Sequence, residues 1–394
     1  MKIVILKESL CIGGTERSTA NISRALAKNN DVTLILYDGS DIQYPYAGTL
    51  IDLHCPAKKS ILAKVLNNIV RELRYASLIK KISPDILFEF LYIGNPLSRV
   101  RRKDQIRVIS ARDYSLLSTM TDRFHACLSA ADGMVCNSRR LREYYVNVHP
   151  EDREKVFFVP NIIEPDQIAL EAREEPEAAC LSFLQTHRYN LVSTGRFCKE
   201  KGYEYLLQVL AMLKDDDCDV GLILIGDGDY KERYLKLIDE LGLEKDVYFT
   251  GFQKNPYKYM AKCDCFVMSS LNEGFPNVLV EAMSLSIPVV SVNCISGPAE
   301  LIRKDADYNA VKEHSAVCDY GILTPAFAEG EDNSQSFAEM AHAIQMILTH
   351  PEQRSALAAA AKQRSLDFCE DAAAEELACI FRTLIERKRG QHGV

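Results

Sequence analysis

The sequence has no long apolar run. No stretch approaches the roughly 18 consecutive apolar residues that a transmembrane helix needs. The first ten residues hold one short apolar run that Lys7 and Glu8 interrupt, so we expect neither a secretory signal nor a membrane anchor there. The sequence also contains no internal repeat and no low-complexity tract.

The cysteines form no recognisable redox or metal-binding pattern. There are 13, an odd number, and no two of them have Cys-x-x-Cys spacing. Cys263 and Cys265 are the closest pair, and they lie in a predicted buried strand. We therefore expect the protein to work in a reducing cytoplasm.

Length and charge both divide the chain in two. With 394 residues, of which 47% are apolar and 26% charged, the sequence is typical of a soluble globular protein with two domains. Residues 1–165 hold 24 Lys and Arg against 18 Asp and Glu, a net +6, so the remainder carries −14 within the total of −8. A basic first half and an acidic second half are expected if the first half faces an anionic surface.

Short β-rich runs alternate with amphipathic helical patterns along the whole chain. This alternation predicts an α/β fold with two doubly wound parallel sheets, each covered by helices on both faces. The predicted strands are KIVIL, DVTLILY, DILFEF, IRVIS, GMVCN and KVFFV, followed by YNLVSTG, VGLILIG, DVYFTG, CFVMS, IPVVSV and YGILTP. We predict a Rossmann-like domain over 1–165, a linker over 166–188, a second Rossmann-like domain over 189–366 and a C-terminal helix over 367–394.

The segment ESLCIGGTERS follows the first predicted strand. In open α/β sheets, ligands bind where strands end and helices begin. Gly13 and Gly14 would let the backbone approach a ligand there, and Thr15 can begin a helix whose N-terminus favours anions. The segment lacks Gly-x-Gly-x-x-Gly, so it does not indicate a dinucleotide site, and a plain strand-to-helix turn is the alternative.

The segment STGRFCKEKGYEYLLQVL follows the first strand of the second predicted domain. Arg196 and Lys201 lie on either side of the turn before a helix, where they supply a bidentate donor and a point charge. This arrangement suits a diphosphate. A solvated surface pair is the alternative.

The segment NEGFPNVLVEAMSLSIPVVS places Glu273 and Glu281 on either side of a Gly-Phe-Pro turn. Pro276 suits the first helical position, so the free N–H groups of the turn at Asn277 would point at a ligand beside Gly274 and Phe275. Glu281 would then lie roughly 7 Å further along the helix, at about 1.5 Å per residue.

Two carboxylates around a diphosphate need a specific kind of ligand. Carboxylates repel a diphosphate but accept hydrogen bonds from hydroxyl groups, and a nucleotide sugar has hydroxyls at both ends of its diphosphate. The predicted order is ribose at Glu281, diphosphate at the helix start and sugar at Glu273. The alternative, two surface carboxylates on a helix, leaves the Gly-Phe-Pro turn unexplained.

Taken together, these motifs resemble the retaining glycosyltransferases of family 4, in particular members that build bacterial surface polysaccharides. The resemblance covers nearly the whole chain and implies the GT-B fold, in which two Rossmann-like domains face across a cleft. Its most specific segments are GGTER, CNS, VPNIIE, GRFCKEKGYEYL, LIGDGDYKERY, FTGF, SSLNEGFPNVLVEAMSLSIPVVS and SGPAELI.

The resemblance implies roles for individual residues. Arg196 and Lys201 would hold the donor diphosphate, Glu281 the ribose, and Glu273 would lie beside the donor sugar. Gly14 would lie near the diphosphate across the cleft, and the final helix would cross back onto the first domain. The remaining donor-binding residues would be Phe252 and Gln253, which line the base, and Gly274, Phe275, Pro276, Asn277 and Val278.

The chain departs from the family pattern at one catalytic position. Many members carry a histidine after the strand that is IRVIS here, and this sequence reads SARDY instead. Arg112 is the expected occupant of that role, while the nearby His125 is interpreted as an ordinary helix residue. Asp227–Asp229 is interpreted as a strand-end turn, so no metal and no cofactor are expected.

The predicted function is therefore retaining transfer of a sugar, with UDP-hexose or UDP-N-acetylhexosamine as the expected donor. The catalytic residues would be Glu273, Arg196, Lys201 and Arg112, with the two cations and the helix N-terminus stabilising the leaving diphosphate. Closure of the domains would exclude water. A GT-B UDP-sugar epimerase and a non-catalytic nucleotide-sugar-binding protein are the alternatives.

The first domain is expected to work on the cytoplasmic face of an anionic membrane, with a lipid-linked saccharide as acceptor and no nucleic-acid partner. In the predicted helix over about residues 60–82, apolar residues occupy one side, and Lys64, Arg71 and Arg74 share the other. Further basic residues are Lys58, Lys59, Lys80, Lys81, Arg99–Lys103 and Arg139–Arg142. Each is worth about 1 kcal/mol near an anionic leaflet, so we expect binding that high salt reverses. A solvated basic face on a sheet-covering helix is the alternative.

Overall fold

The computed structural model describes the chain except for residues 12, 58–59, 91–104, 217, 308, 310 and 393–394. The chain divides into two compact units, unit 1 (Met1–Ile162 with Cys369–Val394) and unit 2 (Ile163–Phe368). Each unit is built on a seven-stranded sheet with helices around it, which confirms the predicted α/β fold class. Among the described residues, no helix is both long enough and apolar enough to cross a bilayer.

The sheet of unit 1 is parallel throughout, with the strand order β3-β2-β1-β4-β5-β6-β7. Its strands are β1 (Lys2–Lys7), β2 (Asp31–Leu36), β3 (Thr49–Asp52), β4 (Ile86–Phe90), β5 (Ile106–Ala111), β6 (Gly133–Cys136) and β7 (Val156–Phe158). The central strands are buried on both faces and read as continuous apolar runs, as expected for a covered parallel sheet. β3 was not predicted, because this short edge strand lacks a long β-branched run.

The helices of unit 1 include one from the far end of the sequence. They are α1 (Gly14–Ala27), α2 (Ile61–Ile82), α3 (Tyr114–Thr119), α4 (Thr121–Ser129), α5 (Arg139–Val148) and the C-terminal helix (Glu370–His392). Leu377 and Phe381 of the C-terminal helix belong to the same buried cluster as Ile3 of β1 and Phe88 of β4. The last helix is therefore part of the core of unit 1.

Helix α2 contacts unit 1 through its polar side. The apolar residues that the sequence places on one side of the helix are exposed at Leu62, Val65, Leu66, Ile69 and Leu73, and Ala76 is half-buried. Arg71 and Arg74, on the other side, donate to the backbone carbonyls of Cys55 and Leu53. The alternative of a sheet-covering helix with a solvated basic face does not fit, because periodicity shows that a helix has an apolar face but not what that face contacts.

The sheet of unit 2 has the strand order β10-β9-β8-β11-β12-β14-β13. Its strands are β8 (Tyr189–Thr194), β9 (Val220–Ile225), β10 (Val247–Gly251), β11 (Cys265–Met268), β12 (Val289–Val292), β13 (Ala316–Val317) and β14 (Ile322–Thr324). β13 pairs antiparallel with β14, whereas the other pairings are parallel. The unpredicted β13 lies in residues 303–319, called the insert below, and is the outermost strand of the sheet.

The helices of unit 2 include two in the segment predicted to be a linker. They are α6 (Pro165–Glu171), α7 (Ala178–Leu184), α8 (Tyr203–Asp215), α9 (Lys231–Leu241), α10 (Tyr257–Met260), α11 (Asn277–Ser284), α12 (Pro298–Ile302), α13 (Ser334–Thr349) and α14 (Pro351–Ser365). Ile168 of α6 and Cys180 of α7 are buried in a core cluster of unit 2. The segment predicted to be a linker, 166–188, therefore contains short helices that belong to unit 2.

Candidate active site

The turn after β8 carries both predicted diphosphate-binding cations. Arg196 is exposed, and Lys201 ends a single 3-10 turn, Lys199–Lys201. The backbone of this turn is held against the chain that follows β11, where the Ser269 hydroxyl donates to the Lys201 carbonyl at 2.9 Å. Gly202 has φ +63°, and a Cβ there would lie 2.2 Å from the Ser269 carbonyl oxygen, so the close approach requires glycine.

Lys201 and Glu273 form an ion pair. Their Nζ and Oε1 atoms are 2.7 Å apart, and both side chains are half-buried. Burial alone would lower the pKa of Lys201, but the Glu273 carboxylate outweighs burial and raises that pKa above its ordinary value. The sequence placed both residues at one site but did not predict that they touch.

The Gly-Phe-Pro turn is fixed by the segment after β12. The Ser296 hydroxyl donates to the Gly274 carbonyl at 3.1 Å. Gly297 has φ +97°, and a Cβ there would lie 2.5 Å from Pro276 Cδ. Ser296 and Gly297 were not predicted as site residues, although they lie in the SGPAELI segment at the same edge of the sheet.

Helix α11 begins one residue later than predicted. Asn277 is its first residue and Pro276 takes the N-cap position. The Phe275 ring is buried and packs edge-on against Phe368, with ring centroids 5.5 Å apart. The turn can therefore offer a ligand its backbone but not the Phe275 ring, and Asn277 and Val278 are half-buried beside it.

Glu281 lies inside α11, where only 1% of it is exposed. It stands two turns after the Gly274–Pro276 turn, on the same helix as Asn277. A carboxylate this buried is costly unless hydrogen bonds or charges compensate it.

Phe252 and Gln253 follow β10 at the carboxyl end of the same sheet. The Phe252 side chain is 52% exposed, which leaves an aromatic face on the surface of unit 2. The Gln253 amide donates to the Thr250 carbonyl at 2.9 Å. Arg196, Lys201, Phe252 and Glu273 thus all follow the carboxyl ends of strands in the sheet of unit 2.

The predicted site residues of unit 1 are Gly14 and Arg112. Gly14 is exposed and begins α1. Beside it lies an unpredicted pair, in which Lys7 at the end of β1 is buried and its Nζ lies 3.0 Å from Glu16 of α1. Lys7 and Glu16 are nine positions apart in the sequence, with Gly13 and Gly14 between them, so the sequence did not predict this contact.

Arg112 is held at the carboxyl end of β5 by several polar partners. Its Nε donates to the Ser110 hydroxyl at 2.7 Å and its Nη1 to Asn161 Oδ1 at 2.7 Å. Ser18 of α1 also donates to Asn161, at 3.0 Å. Burial lowers the pKa of Arg112 to about 10. The guanidinium is therefore fixed in orientation by residues of unit 1.

His125 lies on α4 in a separate polar cluster of unit 1. Its Nδ1 lies 2.9 Å from Asp152, and its ring stacks on His149 with centroids 4.2 Å apart. With Glu151, these two histidines bring three potential ligand atoms within 4.8 Å of one another.

In unit 2, Asp227 accepts a hydrogen bond from the Gly228 N–H, which is a local turn contact.

The predicted basic surface is only partly within the described residues. Lys58, Lys59 and Arg99–Lys103 lie outside them. Arg139 of α5 is exposed and lies over the Phe158 ring, with its guanidinium carbon 4.6 Å from the centroid. Arg142 donates to the Val156 carbonyl at 2.8 Å, so its guanidinium serves the fold of unit 1.

The sequence matches two families of known proteins. Residues 182–317 match the family described as glycosyl transferases group 1, and residues 12–167 match the family described as Glycosyltransferase Family 4. These matches account for most of unit 2 and nearly all of the N-terminal part of unit 1.

Two curated relatives show how far the similarity extends. The N-acetylgalactosamine-N,N'-diacetylbacillosaminyl-diphospho-undecaprenol 4-alpha-N-acetylgalactosaminyltransferase of Campylobacter jejuni is 31% identical over 319 residues, covering 77% of this chain and 84% of the relative. An uncharacterised glycosyltransferase of Methanocaldococcus jannaschii is 33% identical over 176 residues, covering 45% of this chain and 43% of the relative. The first similarity extends over nearly the full length of the relative, and the second over less than half.

Solved structures share the fold. Anabaena HepE in complex with UDP superposes with a TM-score of 0.70 at 19% identity, covering 97% of this chain and all of that one (100%). Sucrose-phosphate synthase of Thermosynechococcus elongatus gives a TM-score of 0.75 at 17% identity, covering 98% and 99% of the two chains. These similarities confirm the predicted GT-B fold.

Proposed function

Because the chain belongs to the glycosyltransferases that combine a Family 4 domain with a group 1 domain, we propose that it is a retaining enzyme of surface-polysaccharide synthesis. Its donor is a UDP-hexose or UDP-N-acetylhexosamine. Its acceptor is a hydroxyl of a lipid-linked glycan. The product keeps the anomeric configuration of the donor.

The observation that carries this proposal is the arrangement of Lys201, Glu273 and the first turn of α11. An ion pair, an exposed Arg196 and a helix N-terminus occupy the edge of one sheet. Arg196, Lys201 and the free N–H groups of α11 suit a diphosphate, because all three favour negative charge. The Glu273 carboxylate beside them suits a sugar hydroxyl.

The chemistry follows from where charge develops. When the bond from the anomeric carbon to the diphosphate breaks, negative charge grows on the leaving phosphate oxygen. Lys201 and Arg196 stabilise that charge with donors that unit 2 already holds in place, so little reorganisation is needed at the moment of reaction. Glu273 positions the sugar, and Glu281 accepts from the ribose hydroxyls.

The base has an aromatic surface available to it. Phe252 offers an exposed ring on which a uracil can stack, and Gln253 extends the same loop. In the Anabaena relative the bound nucleotide is UDP, which supports UDP as the carrier here. GDP is the second candidate to test.

Unit 1 contributes Gly14 and Arg112 in this proposal. Gly14 leaves the N-terminus of α1 open to the diphosphate. Arg112 takes the role that a histidine has in many family members, and its fixed guanidinium donates hydrogen bonds at the reacting sugar. The proposal includes no metal and no cofactor, since Arg196, Lys201 and the N-terminus of α11 offer donors to the leaving diphosphate.

The acceptor and its location follow from charge and from one relative. The Campylobacter enzyme is named for a diphospho-undecaprenol-linked acceptor, which supports a lipid-linked glycan here. Residues 1–165 carry a net charge of +6, which suits an anionic leaflet. We place the enzyme on the cytoplasmic face of the membrane as a peripheral protein.

A thermal-shift screen against UDP-, GDP- and ADP-sugars tests the donor. A ligand that binds the native state alone raises stability by about 2.7 kcal/mol at a hundredfold excess over its Kd. The transferred product is then examined by NMR, where an anomeric configuration matching the donor supports retention. Transfer that is unchanged by a chelator supports a metal-free reaction.

The same assays distinguish a transferase from the two alternatives, an epimerase and a non-catalytic binding protein. An epimerase interconverts the free UDP-sugar without any acceptor. A non-catalytic protein gives a thermal shift and no product. Either outcome would replace the transferase proposal.

A further inference from the structure

Two histidines of unit 1 stack on each other although they come from different helices. His125 lies in α4, and His149 is the residue that ends α5. Their rings are nearly parallel, with centroids 4.2 Å apart and an angle of 6° between the planes. Both Nδ1 atoms lie near the 3-10 turn Pro150–Lys155, which leads into β7 and carries Glu151 and Asp152. These four residues form the histidine cluster: His125, His149, Glu151 and Asp152.

The spacing of the nitrogen and oxygen atoms in the cluster suits a transition-metal ion. His149 Nδ1 lies 3.4 Å from Glu151 Oε1, and His125 Nδ1 lies 3.9 Å from the same oxygen. Around a tetrahedral Zn²⁺ with bonds of about 2.0–2.2 Å, neighbouring ligand atoms are roughly 3.4 Å apart. The two distances between histidine and glutamate therefore lie within about half an ångström of those that one ion requires.

Asp152 is a further oxygen donor that the fold holds in place. It is buried, and its Oδ2 accepts a hydrogen bond from the Tyr145 hydroxyl at 2.7 Å. The same oxygen lies 2.9 Å from His125 Nδ1. Carboxylates beside metal-binding histidines orient the imidazole ring and raise its basicity. Two imidazoles together with carboxylates form a donor set that suits Zn²⁺ and similar divalent ions.

The two carboxylates of the histidine cluster are not balanced by a basic side chain. Within the described ranges, Glu151 and Asp152 have histidines as their ion-pair partners, and neither pairs with a lysine or an arginine. Like charges this close repel each other unless a cation compensates them. A divalent ion would do so while both imidazoles stay neutral, which is the form that binds metals.

The stacked rings must turn for an ion to bind. A ligand nitrogen of imidazole points within the plane of its ring, so two parallel rings cannot both direct a nitrogen at one ion. The χ2 torsion of histidine is soft, and the His125 side chain is 39% exposed, which gives it room to rotate. His149 is more enclosed and packs near the Tyr145 ring, with centroids 5.2 Å apart. We therefore expect His125 to make the larger movement.

We propose that the histidine cluster binds a divalent transition-metal ion of the Zn²⁺ type, which ties α4 to the end of α5 and to the turn before β7. The ion is structural, and it gives His125 a metal-binding role in place of the ordinary helix role expected from the sequence. The site goes beyond the proposed function, because it contains none of the residues proposed for sugar transfer. That reaction still uses no metal.

A zinc titration of the full chain tests the site. The protein is stripped with a chelator, dialysed and titrated with zinc chloride in a calorimeter, side by side with the variant His125→Gln/His149→Gln. The 13 cysteines can bind zinc as well, so the readout is the difference between the two proteins. Wild type should bind one zinc ion more than the variant. Equal stoichiometry and affinity would overturn the proposal.

Zinc should also stabilise unit 1 against unfolding. At a hundredfold excess over its Kd, a ligand of the native state contributes about 2.7 kcal/mol, which raises the Tm of a unit of this size by roughly 5–10 °C. The rise caused by zinc should be larger in wild type than in the double variant by this amount. An equal rise in both proteins would place the stabilising zinc outside the cluster.

Glu151→Gln keeps both rings and changes an exposed side chain, so this variant should fold like wild type. It should bind zinc at least about tenfold more weakly, because changes around a metal site cost roughly 10–100-fold in affinity. Zinc affinity equal to that of wild type would show that the proposed ligand set is wrong.

The variant His54→Gln/His314→Gln is the matched control. Each of these exposed histidines lies beside a single carboxylate outside the cluster, Asp52 at 2.9 Å and Glu339 at 2.8 Å. The control should bind zinc like wild type. The loss of one zinc ion in this control as well would mean that any histidine beside a carboxylate binds the ion, and the assignment to the cluster would fail.

Cobalt distinguishes the histidine cluster from a cysteine site. Co²⁺ bound by nitrogen and oxygen gives weak d–d bands, whereas bonds from thiolates to cobalt add an intense charge-transfer band in the near ultraviolet. The spectrum of wild type minus that of His125→Gln/His149→Gln should contain the first and lack the second. A charge-transfer band in this difference would place the ion on cysteine and refute the proposal. None of these measurements involves sugar transfer, so their outcome is independent of the proposed function.

Discussion

At the scale of single residues, the Lys201–Glu273 pair is the centre of the candidate site. The two residues are 72 positions apart, yet they meet because β8 and β11 are neighbours and both turns leave the same end of the sheet. Removing one partner of a half-buried pair leaves the other charge uncompensated. Substitutions of Lys201 and Glu273 should therefore not be additive, and a double-mutant cycle is the appropriate measurement.

We predict that Arg196→Ala and Lys201→Ala each lower kcat by roughly a hundredfold or more, because each removes a preorganised donor to the leaving diphosphate. Steady-state kinetics with a labelled donor measure the effect. Lys199→Ala is the matched control, since Lys199 lies in the same turn, is exposed and pairs with Glu329. If both variants kept the wild-type kcat, the diphosphate would not bind at this turn.

We predict that Arg112→Ala abolishes transfer and leaves UDP affinity nearly unchanged, because Arg112 is fixed by Ser110 and Asn161 of unit 1 whereas the proposed nucleotide residues belong to unit 2. Product formation and calorimetric binding of UDP are measured on the same preparation. Arg112→Lys keeps a charge but loses the planar fork, so we expect it to remain well below wild type.

Arg123→Ala provides the control for the Arg112 variants, since Arg123 is an exposed arginine on α4 of the same unit. It should transfer sugar like wild type. If Arg112→Ala were fully active, Arg112 would have a structural role and no role in catalysis.

At the scale of elements, the sequence predicted most strands because β-branched and apolar residues cluster in them. It missed β13, which has two residues and pairs antiparallel at the sheet edge. It also missed α6 and α7, since short helices among prolines and acidic residues look like a connector until their buried contacts are seen. Which side of α2 faces the domain was not predicted, because burial depends on tertiary contacts that periodicity does not contain.

For the candidate site, too, the sequence predicted the positions of residues along the chain but not their contacts. Motif positions placed Glu273, Arg196 and Glu281 at the ends of strands and in a helix. The contacts of Lys201 with Glu273, and of Ser296 with the Gly274 carbonyl, join distant segments and needed the fold. The Phe275 ring shows the converse, since a residue inside a binding motif can have its side chain in the core.

The insert 303–319 is attached to α13 by an ionisable contact. His314 Nδ1 lies 2.8 Å from Glu339, and the Ser315 N–H donates to the same carboxylate at 2.6 Å. Burial alone would raise the pKa of Glu339, but these hydrogen bonds outweigh it and lower that pKa to about 2. Because His314 donates a hydrogen bond to Glu339, the pKa of His314 is raised.

We predict that Glu339→Gln loosens this insert in a pH-dependent way. The lowered pKa of Glu339 gives stability above about pH 4.5 that is lost toward pH 2, and the raised pKa of His314 gives stability below about pH 6.5 that is lost as the pH rises through its folded value. Limited proteolysis should therefore distinguish variant from wild type most strongly at about pH 5.5 and less at about pH 9. A difference that is constant with pH would assign the contact to the Ser315 N–H alone.

At the scale of the whole molecule, unit 1 is built from both ends of the chain. The C-terminal helix places the Phe381 ring against Phe88, edge-on, with centroids 5.6 Å apart. Ion pairs also hold this helix, including Lys28 to Glu370 at 2.9 Å and Lys388 to Asp132 at 3.0 Å. Unit 2, by contrast, is one continuous segment. Loss of the C-terminal helix should therefore damage the unit that begins the sequence.

We predict that the two units respond independently to core substitutions and to nucleotide. Phe381→Ala should destabilise unit 1 by about 3–5 kcal/mol, because it removes a fully buried ring, and Phe266→Ala should do the same to unit 2. UDP at a hundredfold excess over its Kd should stabilise unit 2 by about 2.7 kcal/mol, since the proposed nucleotide residues Arg196, Phe252 and Glu281 all belong to that unit. Calorimetric unfolding of both variants, with and without UDP, measures these shifts. The Phe381→Ala protein should still bind UDP while failing to transfer sugar, and loss of UDP binding in that variant would show that nucleotide binding depends on unit 1.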